Sequence, residues 1–138
     1  MADQTSTQHT ATAITGDTPF KTHIETDDAF HQVTDTPESM GGGNLGASPT
    51  AMVSAALASC KSITAKMYAD RKGWPVEAVR VDVEHVNRGG ADVFETRVTI
   101  EGDRLDAEQR KRIYEITAKC PVHKLLTGEV AVESSLVG

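Results

Sequence analysis

A chain of 138 residues is the length of one domain and can bury a modest core without disulfide staples. Its formal charge of −6 and aromatic share of 4% leave no basic face with interleaved aromatics, which argues against nucleic-acid binding. No stretch approaches the roughly 20 apolar residues that cross a bilayer, and Met1-Ala2-Asp3-Gln4 opens no basic-then-apolar leader, so a soluble, cytoplasmic protein with no membrane partner is expected. Two cysteines are too few for a secreted disulfide framework, and cytosolic thiols that do pair are usually transient, catalytic or sensing.

Residues 1–18 are rich in threonine and poor in large apolar side chains. Such a composition cannot bury enough surface to offset chain entropy, so they are read as a flexible polar tail ahead of a domain spanning 19–138. Phe20, Thr22 and Ile24 share one parity, Asp27-Asp28 makes a turn, and Ala29 to Thr34 is a second extended run. Together they predict a hairpin. Pro37 and the cluster Gly41-Gly42-Gly43 keep residues 35–47 irregular. Ser48 as N-cap and Pro49 at the first helical position then open a long helix, expected to end near Lys72 with Gly73 as its stop. Its stripe of Val53, Ala56, Cys60, Ile63 and Met67 is read as the buried face, with Ala51, Ala55, Ala58 and Ala65 keeping other faces small enough to pack. At about 1.5 Å per residue the helix spans roughly 35 Å, which places it through the centre of the molecule or of a dimer.

Val79, Val81 and Val83 alternate with polar residues, as do Phe94, Thr96, Val98 and Ile100 beyond Gly89-Gly90, predicting an antiparallel hairpin with one covered face. Asp106 and Gln109 form a capping-box signature for a helix marked by Ile113, Ile116 and Cys120. Pro121 ends that helix and starts a short one to Thr127, with Gly128 as a left-handed cap and a last strand at Val130, Val132 and Leu136.

The cysteines are the chain's soft nucleophiles, and a thiolate is the reactive form. Cys60 lies on the apolar stripe of the long helix, where a small buried structural role and a reactive one both remain open. Cys120 precedes Pro121 at a helix start, where unpaired N–H groups and the positive end of the dipole favour the thiolate. His123, three residues on, is placed on the same face. Cys120 and His123 also have the spacing of half a zinc site, but no second pair completes four ligands, and no metal is expected. Gly41 to Gly46 satisfies G-x-G-x-x-G formally, yet neither a buried strand before it nor a βαβ pattern after it supports dinucleotide binding, so a flexible turn is the reading. Trp74, Tyr68 and Met67 are read as core or interface contacts.

The order of these segments carries a resemblance. Ser48-Pro49-Thr50, Ala55-Ala56-Leu57-Ala58-Ser59-Cys60, Met67-Tyr68-Ala69-Asp70-Arg71-Lys72-Gly73-Trp74-Pro75 and Cys120-Pro121-Val122-His123-Lys124 with Leu126-Thr127-Gly128 closely resemble the OsmC/Ohr family over about residues 20 to 138. The resemblance is nearer to the general OsmC-like branch than to the organic hydroperoxide resistance branch. It implies an α+β OsmC-like fold, with antiparallel sheets around long central helices in an intertwined homodimer and active sites at the subunit interface. It also implies a thiol-dependent peroxidase, in which Cys60 is peroxidatic and Cys120 resolving, a small-molecule hydroperoxide is the substrate, and a dithiol of lipoyl or thioredoxin type is the reductant. No cofactor is implied. The family pattern places a glutamate two residues after the helix-opening proline, where it orients an arginine that stabilises the thiolate. Here that position is Ala51 and no arginine precedes Arg71, leaving Lys21 as the conceivable substitute beside His123. That departure motivates an alternative, a non-catalytic member that binds a small ligand in the dimer-interface cleft. A third reading, an assembly partner of another protein, rests on the polar tail alone.

Overall fold

The computed structural model describes residues 8–138 and divides into two compact units, one ending at Met52 and one running Val53–Gly138.

The N-terminal unit is a three-stranded antiparallel sheet in the order β1 (Ala11–Thr15), β2 (Thr22–Thr26), β3 (Phe30–Thr34). The predicted hairpin is β2–β3, with Thr26 opposite Phe30 across a turn in which Asp27 and Asp28 take φ of 52° and 55°. Aspartate tolerates this left-handed region better than most residues. The Asp27 carboxylate accepts the Thr10 N–H at 3.0 Å and meets His9 Nδ1 at 3.1 Å, tying the turn to the chain just before β1. Strand β1 falls inside the stretch read as a polar tail, residues 1–7 of which lie outside the described residues. Its five residues are all exposed, so no burial pattern marked them. β-branched Thr12, Ile14 and Thr15 nevertheless suit a strand, and Thr15 Oγ1 lies 2.6 Å from Thr22 Oγ1 across the ladder.

After β3 the glycine-rich segment is anchored. Asp35, almost fully buried, accepts N–H groups from Thr36 at 2.7 Å, Gly43 at 3.2 Å and Leu45 at 3.1 Å. Burial pushes its carboxyl up, but those three donors and the Lys21 charge outweigh it and hold the group below the ordinary carboxylate value. A side chain at Gly42 would stand 2.2 Å from the Thr36 carbonyl oxygen, so the glycine is needed for close backbone approach rather than for flexibility. Ser48 Oγ then accepts the Ala51 N–H at 3.2 Å, the expected cap on α1 (Pro49–Lys72).

Most of α1 belongs to the C-terminal unit, with β4 (Ala78–Arg88), β5 (Ala91–Glu101), α2 (Ala107–Ile116) and α3 (Pro121–Thr127). Helix α1 stops at Gly73, whose φ of +71° and N–H to the Asp70 carbonyl close the last turn. Strands β4 and β5 pair antiparallel along eleven residues each, joined by Gly89 and Gly90 at φ 61° and 88°. Two positive φ values make the tight hairpin whose twist matches its strands. Asp106 and Gln109 exchange side-chain and backbone hydrogen bonds at 2.7 and 2.9 Å, the expected capping box. Arg110 on α2 donates to the Ile100 and Gly102 carbonyls and fastens the helix to the end of β5.

The core of this unit gathers Ala65, Ala69, Val76, Leu105 and Ile113, with Tyr68, Trp74, Val79 and Ile100 against it. Tyr68 and Trp74 meet edge to face at 5.7 Å. Three expectations are corrected here. The buried row of α1 is Leu57, Lys61, Ala65 and Ala69, not the stripe through Val53, Ile63 and Met67. Within one chain Ile63 and Met67 are 55% and 57% exposed, because small alanines let the helix lie close to the core on the row they share with Leu57 while these two side chains point away from it. Gly128 is extended at φ −100° rather than left-handed. Residues 129–138 form no strand, for Val132 and Leu136 find no edge to pair with in the single chain and stay exposed. Among the described residues no helix is long and apolar enough to cross a membrane.

Ile113 is fully buried and Lys111 exposed on the same helix. Ile113→Ala is expected to destabilise the protein by about 2–5 kcal/mol through lost transfer energy and a cavity, and Lys111→Ala by no more than about 0.5 kcal/mol. Denaturant unfolding monitored at Trp74 measures both.

Candidate functional site

The row that α1 buries contains a charge. Lys61, next in sequence to Cys60, is 4% exposed. Its Nζ donates to the Thr117 carbonyl at 3.1 Å and lies 2.9 Å from His123 Nδ1. An ammonium can only donate, so Nδ1 accepts and the imidazole proton belongs on Nε2. Thr117 begins the short 3₁₀ turn Thr117–Lys119 that follows α2, its carbonyl also accepting the Cys120 N–H at 3.4 Å, and carbonyls at a helix end carry the negative end of the dipole.

The same turn delivers Cys120. Rather than continuing the α2 stripe, Cys120 is the N-cap of α3, with Pro121 at the first helical position. Its Sγ accepts the His123 N–H at 3.2 Å, so the expected polarisation by a helix start is present. Cys120 is 0% exposed and Cys60 half-buried, both as free thiols. Burial pushes the Cys120 thiol up. The His123 N–H works against that, the adjacent Cys60 thiol adds to it and the Lys61 charge pulls down again, with the net value raised. Burial likewise lowers the Lys61 ammonium, resisted by the charges of Cys120 and Cys60. His123 is lowered by burial and then by Lys61.

A cavity of about 520 Å³ opens beside this cluster, lined by Leu57, Phe94 and Leu126 on its apolar walls and by Lys61, His123 and Asp92. Neither cysteine lines it. Among the described residues no group of three His, Cys, Asp or Glu is placed to hold a metal, and His123 Nδ1 is already engaged by Lys61.

Cys60, Cys120 and His123, singled out in the sequence, are therefore brought together. Lys21 belongs to the N-terminal unit, where its charge acts on Asp35. The residue that sequence reasoning missed is Lys61, although one signal marked it: it is the lone charge from Pro49 to Ala65 in an otherwise small and apolar helix.

Two free thiols beside a buried lysine–histidine contact, on a mixed helix and sheet scaffold, define a two-cysteine protein of the α+β class. The family model described as OsmC-like protein matches residues 41–135, and the chain belongs to that family. No curated protein matches the sequence. Among solved structures, a putative osmotic stress induced and detoxification response protein from Psychrobacter arcticus is 22% identical, with a TM-score of 0.70 over 91% of each chain. An OsmC like protein from Mycoplasma pneumoniae is 20% identical, with a TM-score of 0.71 over 90% of each. An organic hydroperoxide resistance protein OsmC from Legionella pneumophila is 19% identical, with a TM-score of 0.62 over 91% of this chain and 93% of its own. The fold is thus the OsmC fold, two antiparallel sheets with three helices.

Because His123 is held below its ordinary value of 6.5, the unfolded chain binds its proton more readily. Stability is therefore expected to fall as pH drops through 6.5 toward the native value, where protonation would also remove the acceptor from Lys61. Thermal unfolding across that window checks this: the His123→Asn variant is expected to lack this component of the acid loss.

Proposed function

We propose that the protein reduces organic hydroperoxides through Cys60 and Cys120. The observation that carries this reading is the meeting of two free thiols with a buried ammonium beside a largely apolar cavity. Membership of the OsmC-like family and likeness to chains named organic hydroperoxide resistance proteins support it. Cys60, the less buried sulfur, is the attacking thiolate. It takes the terminal peroxide oxygen, the O–O bond breaks, and the alkoxide leaves and is protonated to the alcohol, with the sulfur oxidised to sulfenic acid. The Cys120 thiolate then attacks that sulfur, the S–S bond forms, and hydroxide departs to become water. A dithiol of lipoyl or thioredoxin type reduces the disulfide and is itself oxidised. Closure requires Cα atoms within roughly 4.4–6.8 Å.

The working unit we propose is a homodimer. Ile63 and Met67 on α1 and Val132 and Leu136 beyond α3 leave apolar surface that a second copy would cover. Light scattering is expected to give twice the chain mass, with Met67→Glu moving it toward one.

One equivalent of an organic hydroperoxide is expected to yield a Cys60–Cys120 crosslink by mass spectrometry, and Cys60→Ser is expected to consume no peroxide. Absence of the crosslink, or undiminished consumption by the variant, would exclude the reading. In that event the alternative is non-catalytic binding of a small ligand, favoured by a cavity that neither sulfur lines. Unchanged ligand affinity in Cys60→Ser would support it.

A further inference from the structure

We propose that Lys61 is the positioning residue that lets the buried Cys120 carry negative charge for the resolving step. The inference deepens the peroxidase reading and rests on it for the role of Cys120, while the charge relation itself stands on geometry. Cys120 has no exposure to water, so its thiolate needs charge compensation from within the protein. The compensating groups face it from two elements: the His123 N–H on α3 at 3.2 Å and the Lys61 ammonium on α1, held 2.9 Å from the ring of that same histidine and lowering the Cys120 thiol by its charge. The remaining titratable groups are Cys60 on α1, His123 itself, and Asp92 on β5, which lines the adjacent cavity and is engaged by His85 Nε2 at 2.9 Å.

What makes Lys61 suited to this task is that its ammonium is fixed by uncharged partners. The Thr117 carbonyl and His123 Nδ1 both accept from it without cancelling its charge, so the field of a full cation remains available to the Cys120 sulfur. A carboxylate partner would neutralise it. His123 serves twice, with its ring holding the lysine and its backbone N–H holding the sulfur.

The test needs no peroxide. Cys60→Ser isolates Cys120, whose thiolate absorbance is titrated in the ultraviolet. Adding Lys61→Gln, which removes the charge but keeps a donor for Thr117 and His123, is expected to raise the midpoint by about one unit, a tenfold loss of thiolate at pH below it. Lys61→Arg is expected to restore the midpoint toward that of the parent. An unmoved midpoint in folded Lys61→Gln overturns the proposal. Should that variant not fold, the reciprocal measurement decides: nuclear magnetic resonance titration of the Lys61 ammonium is expected to give a lower midpoint in Cys60→Ser/Cys120→Ser than in Cys60→Ser, and identical midpoints overturn the proposal. On the otherwise unsubstituted protein, a Lys61→Gln change is expected to let hydroperoxide form the Cys60 sulfenic acid while slowing disulfide closure about tenfold. Failure of sulfenic acid to form in the parent sinks the peroxidase reading and leaves the titration result standing. A titration without a Lys61 effect, in a parent that still consumes peroxide, sinks only this proposal.

Discussion

The C-terminal unit is organised around an ammonium withdrawn from water. A buried lysine is strongly destabilising unless its donors find acceptors, and Lys61 finds them for two of its three N–H groups in two different segments, the carbonyl of Thr117 and the ring of His123. Those contacts join α1 to the turn after α2 and to α3, through partners 56 and 62 residues beyond the lysine. Thr117 is itself buried, its hydroxyl donates to the Tyr114 carbonyl at 2.7 Å, and its carbonyl accepts both the Cys120 N–H at 3.4 Å and the lysine. The helix terminus supplies acceptor and favourable dipole end together.

Packing around the lysine follows from the same row. Leu57, Ala65 and Ala69 share its face at four-residue steps, and the two alanines let α1 approach Ile113, Leu105 and Val76 closely enough to form a dry core. Val53, Ile63 and Met67 of α1 are turned away from that core. One helix therefore presents a narrow internal face of Leu57, two alanines and one charge, and a further apolar face that a single chain leaves uncovered. A helix of this kind has little net amphipathicity, which is why its buried side could not be chosen from the size of its apolar residues.

Much of the scaffold was legible because its signals are local. Ser48-Pro49 and Gly73 bound α1, Asp106 with Gln109 opens α2, Gly89-Gly90 closes the long hairpin, and Pro121 starts α3, each through a backbone requirement that one or two residue types satisfy. What was not legible depended on distant contacts. Strand β1 buries nothing and exists through its ladder with β2, so periodicity could not reveal it. The run at Val130 to Leu136 has strand composition and no edge within the chain, so composition alone misled. At the site, Cys60, Cys120 and His123 stood out by residue type and spacing, but nothing in spacing told that the α1 face one residue onward would turn inward and take Lys61 with it.

That inward turn also bears on the two departures from the family pattern. A guanidinium is a planar fork, which holds its geometry best when a carboxylate grips it; an ammonium is a compact point charge that any set of acceptors can fix. With Ala51 where the pattern has glutamate, and no arginine before Arg71, the chain lacks both halves of the first arrangement at once. The second arrangement needs neither. A carboxylate set against Lys61 would neutralise it, whereas a carbonyl and a neutral imidazole leave its charge intact. The lowered proton affinity of His123 fits the same arrangement, because a neutral imidazole is what the lysine requires as its acceptor.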